Sequence, residues 1–259
     1  MRSAQLLLLL SLMVLLLPSV VWGWGKNGHR IIAQIANNHL NGKAKQEIKK
    51  ILGHQSMAAV STWADEIKSD PVWKLANPWH YVNFSQGDKY NAKKRSKKGD
   101  VIWALRRFEG EMQDKKIKME QRQEALKFFI HMFADLHQPL HVGFAADRGG
   151  NKIKVKWFKD SANLHSVWDT WMIQYQNLSY TEYTAFLDHF SNKELKEWQQ
   201  GDYEDFAYES RKLVRKIYQD KHLDKLGYDY NFKYKAIMEQ RMRQAGVRMA
   251  DRLNLVFGR

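Results

Sequence analysis

The sequence contains no cysteine. Disulfides are excluded, so a chain of 259 residues must be held by its packed core or by bound metals. After residue 23 no apolar run is long enough to span a bilayer, which excludes a helical membrane protein once those residues are removed. Acids are scarce: 28 Asp and Glu stand against 42 Lys and Arg, a formal charge of +14. A protein this basic is drawn to polyanions such as nucleic acid, anionic lipid or cell-wall polymer. A generally basic surface without a specific partner has the same charge, so composition does not decide between them. There is no internal repeat, no linker and no sign of a second domain, and the length suits one full core.

The first 23 residues differ from the rest. Arg2 is followed by an apolar stretch from Leu6 to Leu17, then Pro18, with small residues Val21 and Gly23 before a cut. This is the pattern of a secretory signal peptide, residues 1–23, and predicts a secreted or periplasmic protein whose mature chain, 24–259, begins Trp24-Gly25-Lys26. An uncleaved membrane anchor is the alternative. Arg2 is the only charged residue lost, which leaves a formal charge of +13, one below +14.

The mature chain reads as mainly α. Ile31, Ile32, Ile35, Ala36 and Leu40 recur at helical spacing after His29, and Asn41-Gly42 ends that helix. Lys43 to Leu52 follows as a second helix. The segment from Asn77 to Phe84 reads as extended after Pro78. Gln86 to Gly99 is polar and lysine-rich, a mobile surface loop or an arm for a nucleic-acid backbone. Asp100 caps a helix with Val101, Ile102, Leu105 and Phe108 on its apolar side, and Met119 to Leu136 is the longest helix of the first half. Lys152-Ile153-Lys154-Val155-Lys156-Trp157 alternates and is the one strand signal, a short β-hairpin near 152–158. Asn163 opens a further helix, Thr181 to Leu226 is helical with breaks, and Asn231 to Phe257 is the last helix.

Within this frame two clusters carry chemistry. In His131-Met-Phe-Ala-Asp135-Leu-His137-Gln-Pro-Leu-His141, His131 and Asp135 are four apart and share a helix face. His165 and Asp169 repeat the spacing. Imidazole and carboxylate so placed suit a zinc site on a helix. For either pair alone, satisfied core histidines remain the competing reading. Upstream, Asp65 lies between Trp63 and Ile67, where a carboxylate needs a cation or hydrogen bonds. A free amine at Trp24, deprotonated, would chelate zinc with its own carbonyl, beside His29.

Taken together these pieces resemble the zinc-dependent S1/P1 nuclease family, related in fold to zinc-dependent phospholipase C. The resemblance covers most of the mature chain. It rests on Trp24-Gly25 with His29, Trp63-Ala64-Asp65, Trp79-His80-Tyr81-Val82, His131-x-x-x-Asp135, Gln138-Pro139-Leu140-His141, Gly149-Gly150-Asn151, Asn163-Leu164-His165-Ser166-x-Trp168-Asp169-Thr170 and Ala245-Gly246-x-Arg248-x-Ala250. It implies three zinc ions: one held by Asp65, His80, His131 and Asp135; a second by Trp24, His29 and the bridging Asp135; a third, more open, by His141, His165 and Asp169. Two close zincs would lower the pKa of a shared water, and the third would neutralise phosphate. The implied reaction is cleavage of single-stranded DNA or RNA at the P–O3′ bond to leave 5′-phosphates, with 3′-nucleotides as further substrates. Asp65 and Asp135 stand in the catalytic centre; Lys68 supports it. Tyr81 is placed to stack a base and Asn151 lies near the base pocket. Asn83 stands where many members carry an aspartate beside the attacking water. Asn cannot take a proton, so here it would only orient that water. His137 is an additional histidine, read as a supporting or structural residue rather than a ligand.

Two other readings remain. A zinc-dependent phospholipase C would share the fold and the tryptophan ligand, but has a longer gap than Trp24 to His29 and a glutamate where Asp169 stands. A non-catalytic zinc- or polyanion-binding exported protein would be expected to close its metal sites with four protein ligands, unlike the open set at His141, His165 and Asp169.

Overall fold

The computed structural model describes residues 24–84, 90–220 and 223–258; the proposed signal peptide lies outside them. Helices α1 (Lys26–Asn38), α2 (Gly42–Leu52), α3 (Met57–Val60), α4 (Trp63–Glu66), α5 (Val101–Gln113) and α6 (Met119–His137) make the first half. Short α7 (Leu164–Ser166) and α8 (Met172–Tyr175) flank a π-helical turn, Val167–Trp171. Then come α9 (Tyr180–Leu187), α10 (Asn192–Trp198), α11 (Tyr203–Tyr218) and the long α12 (Tyr228–Phe257). The fold is mainly α, as the periodicity indicates.

Helix α6 is the axis. Every residue from Ala125 to His137 is buried, so polar and apolar residues alike point into protein, as expected of a helix surrounded on all sides. Phe128 of α6 stacks on Phe108 of α5 at 4.7 Å between ring centroids and 6° between planes. On another flank α12 packs against α1, and the contact is made at Gly246. A Cβ there would meet Ile35 Cγ2 at 2.5 Å. At the C-terminal end of α6, His137 belongs to a buried arginine network. Its Nδ1–H donates to Phe133 O (2.9 Å) while Nε2 faces an Arg248 nitrogen at 3.3 Å. Arg248 forks onto both carboxylate oxygens of Glu209 at 2.6 and 2.8 Å, and Arg241 joins at 2.7 Å. Burial, then the charges of Arg241 and Arg248, hold the His137 pKa well below its ordinary value. The ring is neutral and ties α6 to α11 and α12.

Three sequence expectations are corrected. Trp79 and His80 are not extended: a 3-10 helix runs from Pro71 to His80 with Pro78 inside it, since proline's fixed φ suits 3-10 geometry. The chain becomes extended at Tyr81 (φ −149°, ψ 164°). Asn41 does not end α1 but begins α2, its side chain accepting from Ala44 N at 2.8 Å. Of the lysine-rich segment 86–99, residues 86–89 lie outside the described residues, and 90–99 touch the body at two points. Tyr90 N donates to Tyr208 Oη (2.5 Å), and the Trp79 indole donates to Lys98 O (2.7 Å). Finally, Lys225–Leu226 is not helical. It forms strand β3 of a three-stranded sheet, pairing parallel to β1 (Lys154–Trp157), which pairs antiparallel to β2 (Asp160–Asn163). Leu226 is buried beside Trp157; two residues are too few to show a period.

The α1–α12 contact yields a test. Gly→Ala inside a helix ordinarily gains up to about 1 kcal/mol. At Gly246 the added methyl overlaps a rigid β-branched side chain, which costs about 1–3 kcal/mol. Gly246→Ala is expected to lower stability by about 1 kcal/mol in urea unfolding, and a stabilised variant would contradict this packing.

Candidate metal centre

Four stretches of chain converge on the α6 axis. His131 and Asp135 project from α6. His29 comes from the first turn of α1. Asp65 comes from α4, whose start follows the Ser61 carbonyl that holds His131. His80 ends the 3-10 helix before the extended segment. That segment lies along the turn after α6, with Val82 N donating to His141 O (2.9 Å) and Phe84 N to Gly143 O (3.4 Å). His141 sits in that turn, while His165 and Asp169 come from α7 and the π turn.

Three groups of donors result, each with its atoms within 4.8 Å of one another: His29, His131 and Asp135; Asp65, His80 and His131; His141, His165 and Asp169. His131 Nε2 lies 3.1 Å from His80 Nδ1, 3.2 Å from Asp135 Oδ2 and 3.6 Å from Asp65 Oδ1. His80 Nδ1 is 2.9 Å from Asp135 Oδ2. The other carboxylate oxygen of Asp135 turns away, 3.4 Å from His29 Nε2. His131 is shared by the first two groups, and the Asp135 oxygens face different imidazoles, His29 on one side and His80 with His131 on the other. In the third, His165 Nε2 is 3.1 Å from Asp169 Oδ2 and 3.2 Å from His141 Nε2.

These separations fit a small cation. Tetrahedral zinc with bonds of 2.0–2.1 Å spaces its donors about 3.3 Å apart. Both nitrogens of His29, Nε2 of His80 and Oδ1 of Asp135 are buried without a hydrogen-bond partner. Buried polar atoms left in that state are costly, and a cation between His29 Nε2 and Asp135 Oδ1 would satisfy those two. Three rings are also set for ligation: His131 Nδ1–H donates to Ser61 O, His141 Nδ1–H to His80 O and His165 Nδ1–H to Gly149 O, each at 2.6 Å. That fixes Nε2 as the lone-pair nitrogen. The carbonyl partner of His165 needs its glycine: Gly149 has φ +60°, and a Cβ would meet Leu140 O at 2.2 Å.

The Asp65 and Asp135 carboxylates and two of the imidazoles already stand in ligand form. Burial pushes the Asp65 carboxyl up, but His131, Lys68 and His80 outweigh it and bring its pKa down to about 2. Burial is likewise overridden at Asp135, where His131 and His141 hold the pKa well below the carboxylate range. Burial, with Lys68 next, lowers His80 to about 3; burial and then His131 lower His29. At His131 and His165 burial acts downward, yet the facing aspartates, Asp135 and Asp169, raise the pKa. Ionised carboxylates and neutral imidazoles are the ligand forms metals require, so a cation would have to displace a proton wherever His131 or His165 carries one.

The remaining expected residues fall around this centre. Trp24 is fully buried, its indole donating to Ala134 O (2.9 Å), and Gly25 N donates to Asp169 O (2.6 Å). Trp24 and Gly25 are thus stitched to the two elements that carry Asp135 and Asp169. Lys68 forms an ion pair with Asp65 and keeps its side chain 15 % exposed. Tyr81 is half-buried and Asn83 exposed, alternating with buried Val82 and Phe84, so the two share the outward face of the extended segment. Asn151, half-buried, donates to Arg148 O (2.8 Å) within the glycine turn. One participant had no assigned function in the sequence. Gln138, fully buried, donates its amide to Asp169 Oδ1 while its carbonyl accepts from Leu140 N. Its place three residues before His141, ahead of Pro139, is the only sequence signal it carries.

A helical protein with three clustered His/Asp groups about a central helix is the class that fold and site define. The S1/P1 Nuclease family model matches residues 24–258, and the chain belongs to that family. It is 30% identical over 279 residues to Endonuclease 4 of Arabidopsis thaliana, covering 94% of this chain and 93% of that one. It is 29% identical over 268 residues to Endonuclease 2 of the same plant, covering 92% of each. Nuclease S1 of Aspergillus oryzae is 32% identical over 173 residues, 63% of this chain and 59% of that one.

The Gln138 contact gives a prediction. Loss of a group that orients a ligand typically costs 10- to 100-fold in metal affinity. In Gln138→Ala one metal equivalent is expected to weaken by about that factor in chelator competition, with the others unchanged. Uniform affinities would show that the contact does not orient Asp169.

Proposed function

We propose that this protein is a secreted or periplasmic zinc-dependent endonuclease. It hydrolyses single-stranded DNA or RNA at the P–O3′ bond to give 5′-phosphates, and also acts on 3′-nucleotides. The observation that carries the reading is the Asp135 carboxylate, one oxygen facing His29 and the other facing His80 and His131, with a third His/Asp group beside them.

Three zinc ions are the proposed complement: Asp65, His80, His131 and Asp135 for one; Trp24 amine and carbonyl, His29 and Asp135 for the next; His141, His165 and Asp169 for the third. Bound there, zinc would lower the pKa of a shared water and offset charge on the phosphate. The protein's own groups do the rest. Lys68 neutralises Asp65 and presents an ammonium to a phosphate oxygen. Tyr81 offers a face on which an unpaired base stacks, an advantage that a duplex with its bases already stacked does not offer. Asn83 on the same lip orients water by hydrogen bonds without taking its proton, and Asn151 contacts the base edge. Membership of the nuclease family and the basic charge support nucleic acid as substrate; zinc identity and export rest on the site chemistry and the leader-like first 23 residues. Among the described residues no helix is long and apolar enough to cross a membrane.

The decisive assay offers purified, zinc-analysed protein single-stranded DNA and phosphatidylcholine in parallel, before and after chelation. Expected are about three zinc per chain, cleavage of the DNA to 5′-phosphate ends, and loss of activity on chelation. Hydrolysis of the lipid alone would make it a phospholipase C; zinc binding with no turnover would make it a storage protein.

The Trp24 amine suggests a second test. While residues 1–23 remain attached, that nitrogen is an amide and cannot ligate. A chain with one extra residue before Trp24 is expected to bind one zinc fewer and lose most activity. Full zinc content and full activity in that chain would remove Trp24 from the ligand set.

A further inference from the structure

The hairpin that springs from the third donor group carries lysines that the centre itself does not use. In β1 the side chains alternate, with Lys154 and Lys156 exposed and Val155 and Trp157 buried. Lys156 stands directly beside Lys225 of β3, and Lys154 opposite Asn163 of β2. Paired residues share a face of the sheet, so Lys154, Lys156 and Lys225 project together to solvent. Like charges placed side by side on a sheet destabilise it. None of the three has a carboxylate within ion-pair reach among the described residues. The exposed acids nearby, Asp160 and Asp224, have the opposite parity: Asp160 pairs with Trp157, and Asp224 precedes Lys225. An uncompensated cationic face is therefore built into the sheet against local stability.

Its position ties it to the centre. β2 ends at Asn163, whose side chain accepts from Ser166 N (2.8 Å) and caps the helix bearing His165. β1 follows the Gly149 turn whose carbonyl holds the His165 ring, and Leu164 N donates to Ile153 O (2.9 Å). Lys154 thus lies level with a residue two before His165, and Lys156 about 7 Å further out along the strand. Lys225 broadens the track by one strand spacing.

Resting on the nuclease reading, we propose that this sheet face is a binding track for the phosphates of a single-stranded polynucleotide running away from the His141–His165–Asp169 group. It makes the polymer, rather than short oligonucleotides or 3′-nucleotides, the favoured substrate. Lysine ammonium groups on flexible stems contact phosphates as point charges without reading sequence, so the track is tolerant of base.

The test compares wild type with the triple variant Lys154→Gln, Lys156→Gln, Lys225→Gln on a 30-nucleotide single strand and on a dinucleotide, at several salt concentrations. Expected is a drop of about tenfold or more in kcat/KM on the long strand, carried by KM, with dinucleotide turnover unchanged. The log–log salt dependence should flatten by about 2, from roughly 0.7 per lost phosphate contact. An unchanged long-strand KM and salt slope would overturn the track. So would an equal loss on both substrates, which indicates damage to the fold, or loss of binding to phosphatidylserine vesicles with nuclease kinetics intact, which assigns the face to a membrane. Wild-type protein that cleaves neither substrate refutes the nuclease reading itself, a separate outcome.

Discussion

A carboxylate with both oxygens buried, each facing a different set of imidazoles, is the constraint around which this molecule is arranged. Asp135 sits on a helix with no solvent face at that level. An ionised carboxylate there would be prohibitive without positive partners. The fold brings His29, His80 and Asp65 to this helix from three separate stretches of chain, and each stretch has its own reason to be there. α1 is anchored by Trp24 and Gly25, the 3-10 helix ends in a strand-like run against the His141 turn, and α4 leads out of the Ser61 carbonyl. Stability and site are not separable in such a core: the groups that need a cation are the groups at its centre.

The polar interior has a second, independent part. His137 lies two residues beyond Asp135 yet serves a different purpose. Its neutral ring and the Glu209 carboxylate receive two arginines from α12, which closes the end of the bundle farthest along α6. With no cysteine in the chain, these charge-assisted forks do the cross-linking that disulfides would do elsewhere. The distinction between His137 and its neighbours is one of tautomer and partner, set by which element packs above each ring.

Much of this was legible in the sequence. The paired i, i+4 spacings His131/Asp135 and His165/Asp169 are local features, and the amphipathic periods of α1, α5 and α6 report burial directly. The order of short pieces sufficed to suggest the family. What escaped was whatever depends on long-range geometry. β3 is two residues long and acquires its conformation only by pairing with β1. The 3-10 run to His80 follows from a proline that forbids one hydrogen bond but not the turn. Gln138 looks like any polar residue before a proline until Asp169, 31 residues on, is placed against it. The lysines of β1 were visible as an alternation, but that Lys225 stands beside Lys156 was not.

The π turn from Val167 to Trp171 carries a further meaning. Such a turn is an α-helix with one residue inserted. Each helical residue advances the chain by about 100°, so deleting the insertion would swing everything beyond Trp171 around the axis. Met172 and Ile173, now buried, would rotate out of their seats near α1. A single surplus residue in the turn that carries Asp169 thus links the third donor group to the seating of the helix behind it.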